Sequence, residues 1–221
     1  MRLAVLFSGG KDSTYAAFLM HQLGHEVRTL VSILPNEEDS WLFHTPNLHL
    51  LPQMARAMGL ELLTVESEGG EAGDMAALRS ALKDMSVEGV VTGAIASDYQ
   101  WDRINGVCEE LGMRVFSPLW RKDQEMLLRD MVQAGVRAIF VRVSAEGLAI
   151  SWLGREIDPP VVGELVSLSR RWGMNVSGEG GEYETLVLDS PLHRHPLKAV
   201  GKEVVARRDG GSLRVLALKE G

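Results

Sequence analysis

The chain has 221 residues, of which 45% are hydrophobic, so it can bury a substantial core as one large domain or two unequal ones. Its formal net charge of −7 opposes extended non-specific binding to nucleic acid, which needs clustered Lys and Arg. The single cysteine, Cys108, excludes an intramolecular disulfide and a Cys-x-x-Cys metal or persulfide site, and we interpret it as a packing residue. The sequence has no long hydrophobic stretch that would indicate a signal peptide or a membrane span, so we expect a cytoplasmic protein.

Apolar strands alternate with helices through the first part of the chain. The pattern predicts strands at residues 3–7, 26–34, 60–65, 87–92 and 114–116. Between and after them it predicts one helix that follows Ser13 and four more at residues 47–59, 75–85, 99–112 and 124–134. Nearly continuous hydrophobicity in such strands is typical of a parallel sheet that is covered on both faces. The sequence therefore predicts an α/β fold with a Rossmann-like parallel sheet and helices on both faces.

The pattern becomes less regular after Gly135. It predicts a strand at residues 136–143, a helix at 161–172 and a terminal hairpin made of 202–205 and 213–218 around Gly210-Gly211. These elements favour a smaller C-terminal α+β domain. We accordingly predict a nucleotide-binding domain over residues 1–130 and a substrate-binding domain over residues 131–221.

The first strand ends in the sequence Ser8-Gly9-Gly10-Lys11-Asp12-Ser13. Two glycines let the backbone turn sharply towards a ligand, and the unpaired amides of the following helix favour an anion. Lysine adds a positive charge for phosphate oxygens, the serines add hydroxyl donors, and the aspartate can orient the lysine or hold Mg²⁺. The spacing matches neither a Walker loop nor a dinucleotide-binding loop.

Two further segments combine polar groups near the predicted ends of strands. In residues 35–47, Ser40, His44 and Asn47 can line a nucleotide site, although a capped loop with a structural histidine is an equal alternative for His44. In residues 93–103, the small Gly93 admits a ligand, and Ser97 or Asp98 can cap the next helix.

That helix carries two candidate ligand-binding side chains. Arg103 lies about one turn into it, where it can neutralise phosphate, and Tyr99 can stack or donate a hydrogen bond. The alternative is that Asp98 is only a cap and that Arg103 pairs with Glu109 or Glu110.

Residues 178–185 carry three acids interleaved with three glycines. Carboxylates in such a segment can bind a trimethylammonium group, steer ammonia, take a proton from it or contact magnesium. Strand periodicity predicts that Glu182 and Glu184 share one face, with Tyr183 on the other. The alternative is a glycine-rich hairpin with exposed acids.

The Ser8–Ser13 sequence resembles the loop of the N-type ATP pyrophosphatases, the PP-loop superfamily with the adenine nucleotide alpha hydrolase (HUP-type) fold. That resemblance implies cleavage of ATP between its α and β phosphates and transfer of AMP to an oxygen. The chain as a whole resembles the diphthine-ammonia ligase (diphthamide synthase) family of the archaeal, single-chain type. The matching motifs are Ser8–Ser13, Ser40–His44 with Pro46-Asn47, Gly93–Arg103, Ser117–Trp120, Leu153–Arg155, and Gly178–Thr185 with Asp189–Pro191. One departure is Ile104-Asn105-Gly106, where an acid is expected soon after Arg103.

The family resemblance implies ATP-dependent amidation of diphthine on translation elongation factor 2. The diphthine carboxylate attacks the α-phosphorus of ATP, with Mg²⁺ as cofactor, which forms an acyl-adenylate and releases pyrophosphate. Ammonia, supplied as ammonium, then displaces AMP from the acyl-adenylate. We expect no direct binding of nucleic acid and no membrane partner, and we leave a homodimer open.

The residues and the resemblance together assign roles to the motifs. The predicted catalytic side chains are Lys11, Glu179, Glu182 and Glu184, of which we favour Glu182 as the group that deprotonates ammonium. The predicted ATP-binding residues are Ser8, Gly9, Gly10, Lys11, Asp12, Ser13, His44 and Gly93, with Asp12 as the metal ligand. The predicted substrate-binding residues are Tyr99, Arg103, Glu179, Tyr183 and Glu184.

Two other functions use a similar loop. A tRNA-modifying ATP pyrophosphatase should show a basic surface or sulfur-carrying cysteines, and this sequence shows neither. A non-catalytic adenine-nucleotide-binding protein would have little use for the glycine- and glutamate-rich segment.

Overall fold

The computed structural model describes residues 1–35, 47–207 and 209–221. The first half of the chain forms a five-stranded sheet in the order β3-β2-β1-β4-β5, and every neighbouring pair is parallel. Its strands are β1 (Arg2–Leu6), β2 (Glu26–Pro35), β3 (Glu61–Ser67), β4 (Gly89–Val91) and β5 (Arg114–Phe116). The predicted parallel α/β sheet is therefore confirmed.

Helices cover both faces of this sheet. They are α1 (Lys11–Gln22), α2 (Leu51–Met58) behind a 3₁₀ turn at Leu48–Leu50, α3 (Gly70–Leu82), α4 (Asp98–Glu110) and α5 (Gln124–Gln133). Successive residues of β1 enter different hydrophobic clusters. Leu3 and Val5 pack with α1 and α2, whereas Ala4 and Leu6 pack with α3 and α4. Strand side chains alternate between faces, so this partition shows a sheet that is buried on both sides.

Cys108 lies in the cluster beneath α4 and is fully buried. Burial raises the pKa of its thiol to about 11, because the thiolate loses its hydration. A thiol with such a pKa is a poor nucleophile at neutral pH. The interpretation of Cys108 as a packing residue is confirmed.

The strand order places a crevice beyond the carboxyl ends of β1 and β4. β1 is central, with β2 on one side and β4 on the other, so the chain changes direction across the sheet at this point. Ligands of open α/β sheets bind at such a switch point. The loop after β1 and the loop after β4, which begins near Gly93, both lie there.

The second half of the chain forms an antiparallel sheet in the order β7-β6-β9-β8. Its strands are β6 (Arg137–Val143), β7 (Tyr183–Asp189), β8 (Leu197–Arg207) and β9 (Gly210–Glu220). A 3₁₀ turn at Ile150–Trp152 and helix α6 (Pro159–Trp172) lie between β6 and β7. The expected terminal hairpin is confirmed, with strands much longer than the sequence indicated.

The two sheets are joined through backbone and side-chain hydrogen bonds. The amide of Val187 in β7 donates to the carbonyl of Gly9 at 3.0 Å. Asn47 is buried and binds the edge of β9: its Nδ2 donates to the Leu213 carbonyl at 3.0 Å and its Oδ1 accepts from the Val215 amide at 2.7 Å. Its side-chain amide thus replaces a missing strand neighbour.

One hydrophobic cluster also runs through both sheets and includes buried residues of α5. The division of the chain at residue 130 stays a prediction.

None of the helices in the described part of the chain has the length and hydrophobicity that a membrane span needs.

Candidate active site

A cavity of about 520 Å³ lies between the two sheets, at the carboxyl ends of β1 and β4. Its size is typical of a small-molecule site. Ten of the predicted site residues line it: Ser8, Gly10, Lys11, Asp12, Ser13, Gly93, Tyr99, Glu179, Tyr183 and Glu184. Three segments that are far apart in sequence therefore meet around one space. Gly9, Arg103 and Glu182 are not among the lining residues, and His44 lies outside the described residues.

The loop after β1 forms one wall and opens onto the first turn of α1. Gly9 has φ +79°, a left-handed conformation that a side chain would strain. Gly10 occupies the N-cap position of α1 and provides no side chain to cap the helix amides. The hydroxyls of Ser8 and Ser13 face each other at 3.2 Å across the turn. The arrangement suits an anion, because the first turn of a helix leaves amides without intrahelical partners and two hydroxyls lie beside it.

Lys11 is buried beneath this loop, with only 3% of its surface exposed. Its Nζ donates to Asp12 Oδ2 at 2.8 Å and to the Ser177 carbonyl at 2.5 Å, and it lies 5.1 Å from the centre of the Tyr183 ring. Its backbone amide donates to Thr185 Oγ1 at 3.1 Å. Residues at the start of β7 and in the loop before it therefore fix the position of a cation that the loop after β1 supplies.

Gly93 lies directly against the start of α1. A Cβ atom at this position would come within 2.7 Å of the Ser13 amide nitrogen and 2.8 Å of the Asp12 carbonyl carbon. Both are backbone atoms, so they cannot rotate away. The lack of a side chain at Gly93 is what allows the loops after β1 and β4 to meet.

Gly93→Ala should therefore separate the two loops. We expect the free energy of unfolding to fall by about 1–3 kcal/mol, as for other over-packed sites, and the apparent Kd for ATP to rise. Urea unfolding and calorimetric titration with ATP measure the two effects.

Gly106→Ala in the interior of α4 is the matched control, since an added Cβ there meets no atom within 4 Å. That control should gain up to about 1 kcal/mol, because alanine favours helix. If the two substitutions changed the free energy of unfolding and the Kd for ATP equally, the requirement for a residue without a side chain at Gly93 would be wrong.

Glu179 connects the loop before β7 to the loop after β4. Its Oε1 accepts hydrogen bonds from the amides of Ile95, Ala96 and Ser97 at 3.0, 2.9 and 3.2 Å. Burial raises the pKa of this carboxyl group, and the amide hydrogen bonds oppose that rise. The Glu179 carboxylate therefore holds this part of the cavity wall in place, and its catalytic and substrate-binding roles stay predictions.

Glu182 and Glu184 have different surroundings, and the prediction that they share a strand face is wrong. β7 begins at Tyr183, and Glu182 precedes it in a tight loop. Its carboxylate accepts from the amide and side chain of Asn175 at 2.7 and 2.8 Å and from the Gly180 amide at 2.8 Å. These bonds brace the loop, and Glu182 is not among the residues that line the cavity.

Glu184 lies in β7 and lines the cavity. Arg142, which lies opposite it in β6, donates to Glu184 Oε1 at 3.3 Å. The second oxygen, Oε2, is buried and has no hydrogen-bond partner among the described residues. Burial raises the pKa of the Glu184 carboxyl group, and the Arg142 guanidinium opposes the rise. Arg142 was missed at the sequence level, because the register between β6 and β7 cannot be read from a single chain.

Tyr99 and Arg103 form a cluster at the rim with Glu71. The Arg103 guanidinium lies 3.5 Å from the centre of the Tyr99 ring, and both side chains donate to Glu71 Oε2 at 3.0 Å. The alternative that Arg103 pairs with Glu109 or Glu110 is wrong. Arg103 binds Glu71 of α3 instead, because α3 packs beside α4. Tyr99 reaches the cavity, whereas the substrate-binding role of Arg103 stays a prediction.

Tyr183 is buried and packs beneath Lys11. Its hydroxyl donates to the Val176 carbonyl at 2.7 Å, so the ring is fixed in place. This contact indicates that Tyr183 supports the lysine.

Comparison with known proteins gives a consistent result over nearly the whole chain. Residues 1–115 match the family model of the diphthamide synthase N-terminal domain, and residues 123–217 match that of the diphthamide synthase C-terminal domain. The human diphthine–ammonia ligase is 36% identical over 228 residues, which cover 93% of this chain and 85% of the human protein. The mouse diphthine–ammonia ligase is 36% identical over 231 residues, with the same two coverages. The Schizosaccharomyces pombe diphthine–ammonia ligase is 36% identical over 230 residues, which cover 95% of this chain and 38% of the yeast protein. With both halves matched in order, the chain belongs to the diphthamide synthase family.

Proposed function

We propose that this chain is an AMP-forming ligase that uses ATP to amidate diphthine with ammonia. The observation that carries the proposal is the meeting, in one cavity, of a phosphate-binding loop with a buried lysine and a carboxylate that has one free oxygen. The first group suits activation of a carboxylate by ATP, and the second suits delivery of ammonia. The family relatives carry the name of the same activity.

The phosphate end of the cavity is built to stabilise negative charge. Amides at the start of α1 and the hydroxyls of Ser8 and Ser13 bind the phosphate oxygens, and Lys11 neutralises charge that builds on the leaving pyrophosphate. Lys11 is already held by Asp12 and Ser177, so little reorganisation is needed during the reaction. The buried position strengthens its interaction with phosphate, because little water screens it.

Asp12 fits the role of a Mg²⁺ ligand. Its Oδ2 binds Lys11, whereas its Oδ1 is buried and has no hydrogen-bond partner among the described residues. In the described ranges, no three His, Cys, Asp or Glu side chains cluster as a self-sufficient metal site. Mg²⁺ commonly takes only one or two carboxylates and completes its shell with phosphate oxygens and water, which suits Asp12. When bound, the ion would add positive charge at the phosphates.

The carboxylate end of the cavity is suited to ammonia. Ammonium is the abundant form at neutral pH, but only neutral ammonia attacks an acyl-adenylate. Glu184 Oε2 can accept a proton from ammonium and leave ammonia beside the activated carbonyl. Arg142 holds the other oxygen and keeps the carboxylate oriented. Glu184 therefore replaces Glu182 in our assignment of the proton acceptor.

The protein substrate that we propose is translation elongation factor 2 bearing diphthine. An enzyme for this factor works where ribosomes translate, so we retain the prediction of a cytoplasmic protein. A homodimer also stays a prediction.

The test incubates the protein with ATP, Mg²⁺, ammonium and diphthine-bearing elongation factor 2, and measures AMP and diphthamide. We expect one AMP per diphthamide, with release that requires both ammonium and the modified factor. The same factor without diphthine is the control and should give no AMP. AMP release that depends on tRNA, or nucleotide binding without turnover, contradicts the proposal.

A further inference from the structure

A row of paired residues runs across the second sheet from the cavity to its free edge. Glu184 lies opposite Arg142, Arg142 lies opposite Ser212, and Ser212 lies opposite Val205. Directly paired residues of antiparallel strands project from the same face. The side chain of Val205 in β8 therefore shares a face with Glu184 and lies three strand spacings away, about 14 Å.

β8 is the last strand of this sheet within the described residues, and near its carboxyl end it carries two exposed apolar side chains, those of Val204 and Val205. Val205 is 48% exposed, and Val204, which projects from the opposite face, is 54% exposed. The turn after β8 lies at the same end of the sheet as the start of β7, because the strands alternate in direction. Exposed edges that carry large apolar side chains mark places where another chain can pair.

The hairpin of β8 and β9 has a charge opposite to that of the whole chain. The protein carries a formal charge of −7. The two strands carry five basic side chains, Lys198, Lys202, Arg207, Arg214 and Lys219, against two acidic ones, Glu203 and Glu220. β8 alone has a formal charge of +2. This local charge attracts an acidic partner and opposes pairing of β8 with β8 of a second copy.

We propose that the edge of β8 around Val204 and Val205 docks the protein substrate, by pairing with an extended acidic segment beside the diphthine residue. The inference rests on the proposed function, because it assigns the surface on which the modified protein sits while its side chain enters the cavity. Strand addition provides backbone hydrogen bonds, and Val204 and Val205 provide apolar contacts on the two faces. The distance of about 14 Å between Val205 and Glu184 suits a substrate whose modified side chain extends from the docked segment.

Val205→Asp tests the surface, with Val200→Asp as a matched control. Val200 is the same residue type in the same strand and is 38% exposed, but it lies towards the opposite end of β8, five residues away. We expect Val205→Asp to raise the KM for diphthine-bearing elongation factor 2 by about tenfold, as for a residue at the centre of an interface. The KM for ATP and the turnover of a short diphthine-bearing peptide should not change. Val205→Ser should act in the same direction with a smaller effect, which covers the case in which the aspartate variant does not fold.

The peptide separates failure of this inference from failure of the proposed function. If neither the factor nor the peptide supports AMP release by the unsubstituted protein, the function is wrong. If both do, but Val205→Asp and Val200→Asp behave alike towards the factor, the docking surface is wrong. The docking surface is also wrong if sedimentation shows a dimer that Val205→Asp dissociates, with loss of activity following loss of the dimer. Added salt should raise the KM for the factor more than the KM for the peptide, and an equal rise would count against an acidic partner.

Discussion

Lys11→Met is expected to lower the rate of AMP formation by about 10²- to 10³-fold, the range for removal of one preorganised group that stabilises developing charge. Lys11 is 3% exposed, and methionine has a similar length without the charge. The loss should appear mainly in kcat, because the lysine acts on charge that grows as pyrophosphate leaves. Single-turnover release of labelled AMP measures the chemical step.

Loss of folding is the alternative explanation that must be separated from loss of catalysis. Methionine leaves the Ser177 carbonyl and Asp12 Oδ2 without the donor that they share, which costs about 1–3 kcal/mol. A urea unfolding curve reports this cost directly. Lys122→Met is the matched control, since Lys122 is exposed and is not among the residues that line the cavity. An AMP rate within about twofold of the unsubstituted protein would overturn the role of Lys11.

Much of the fold could be predicted because buried parallel strands leave a clear pattern of apolar runs. β5 was predicted at the residues that form it, Arg114–Phe116. β8 was predicted as only residues 202–205 of the strand Leu197–Arg207, because an exposed edge strand lacks apolar alternation. Gly201, with φ +66°, further interrupts its pattern. Patterns based on burial cannot detect a strand whose side chains are exposed.

The site divides in the same way between local and long-range information. The phosphate loop could be predicted because its glycines, lysine and hydroxyls are contiguous. The partners that orient the charged side chains of the site come from distant parts of the chain. The Ser177 carbonyl binds Lys11, and Arg142 binds Glu184. Glu182 was favoured over Glu184 because sequence spacing alone does not show which carboxylate is used to brace a loop. Only the tertiary structure distinguishes an occupied carboxylate from one with a free oxygen.

Glu184→Gln is expected to uncouple AMP formation from amide formation. Glutamine retains an oxygen for Arg142 but cannot accept a proton from ammonium, so the adenylate should form and then be hydrolysed. We expect the rate of diphthamide formation to fall by about 10²- to 10⁴-fold, the usual contribution of a general base. AMP should still appear, so the ratio of AMP to diphthamide rises well above one. Mass spectrometry of the factor, combined with an AMP assay, measures that ratio.

The dependence on pH distinguishes a proton acceptor from a residue that only maintains the structure. Glu184 must be ionised to accept a proton, so activity should fall as pH drops through its pKa. Burial raises that pKa and Arg142 opposes the rise. Removal of the guanidinium in Arg142→Met should therefore move the acid limb of the profile to higher pH, with activity partly recovered above it. If the acid limb of the pH–activity profile does not move, Arg142 does not lower the pKa of Glu184.

Glu182→Gln is the matched control for this experiment, because it makes the same chemical change two residues away. Its carboxylate is held by Asn175 and Gly180, so the substitution should loosen the loop and leave AMP and diphthamide coupled one to one. The opposite ranking, with Glu182→Gln uncoupled and Glu184→Gln coupled, would restore Glu182 as the proton acceptor. It would also require the loop that holds Glu182 to rearrange when substrates bind, because the Glu182 carboxylate would have to take the place of the Glu184 carboxylate in the cavity wall.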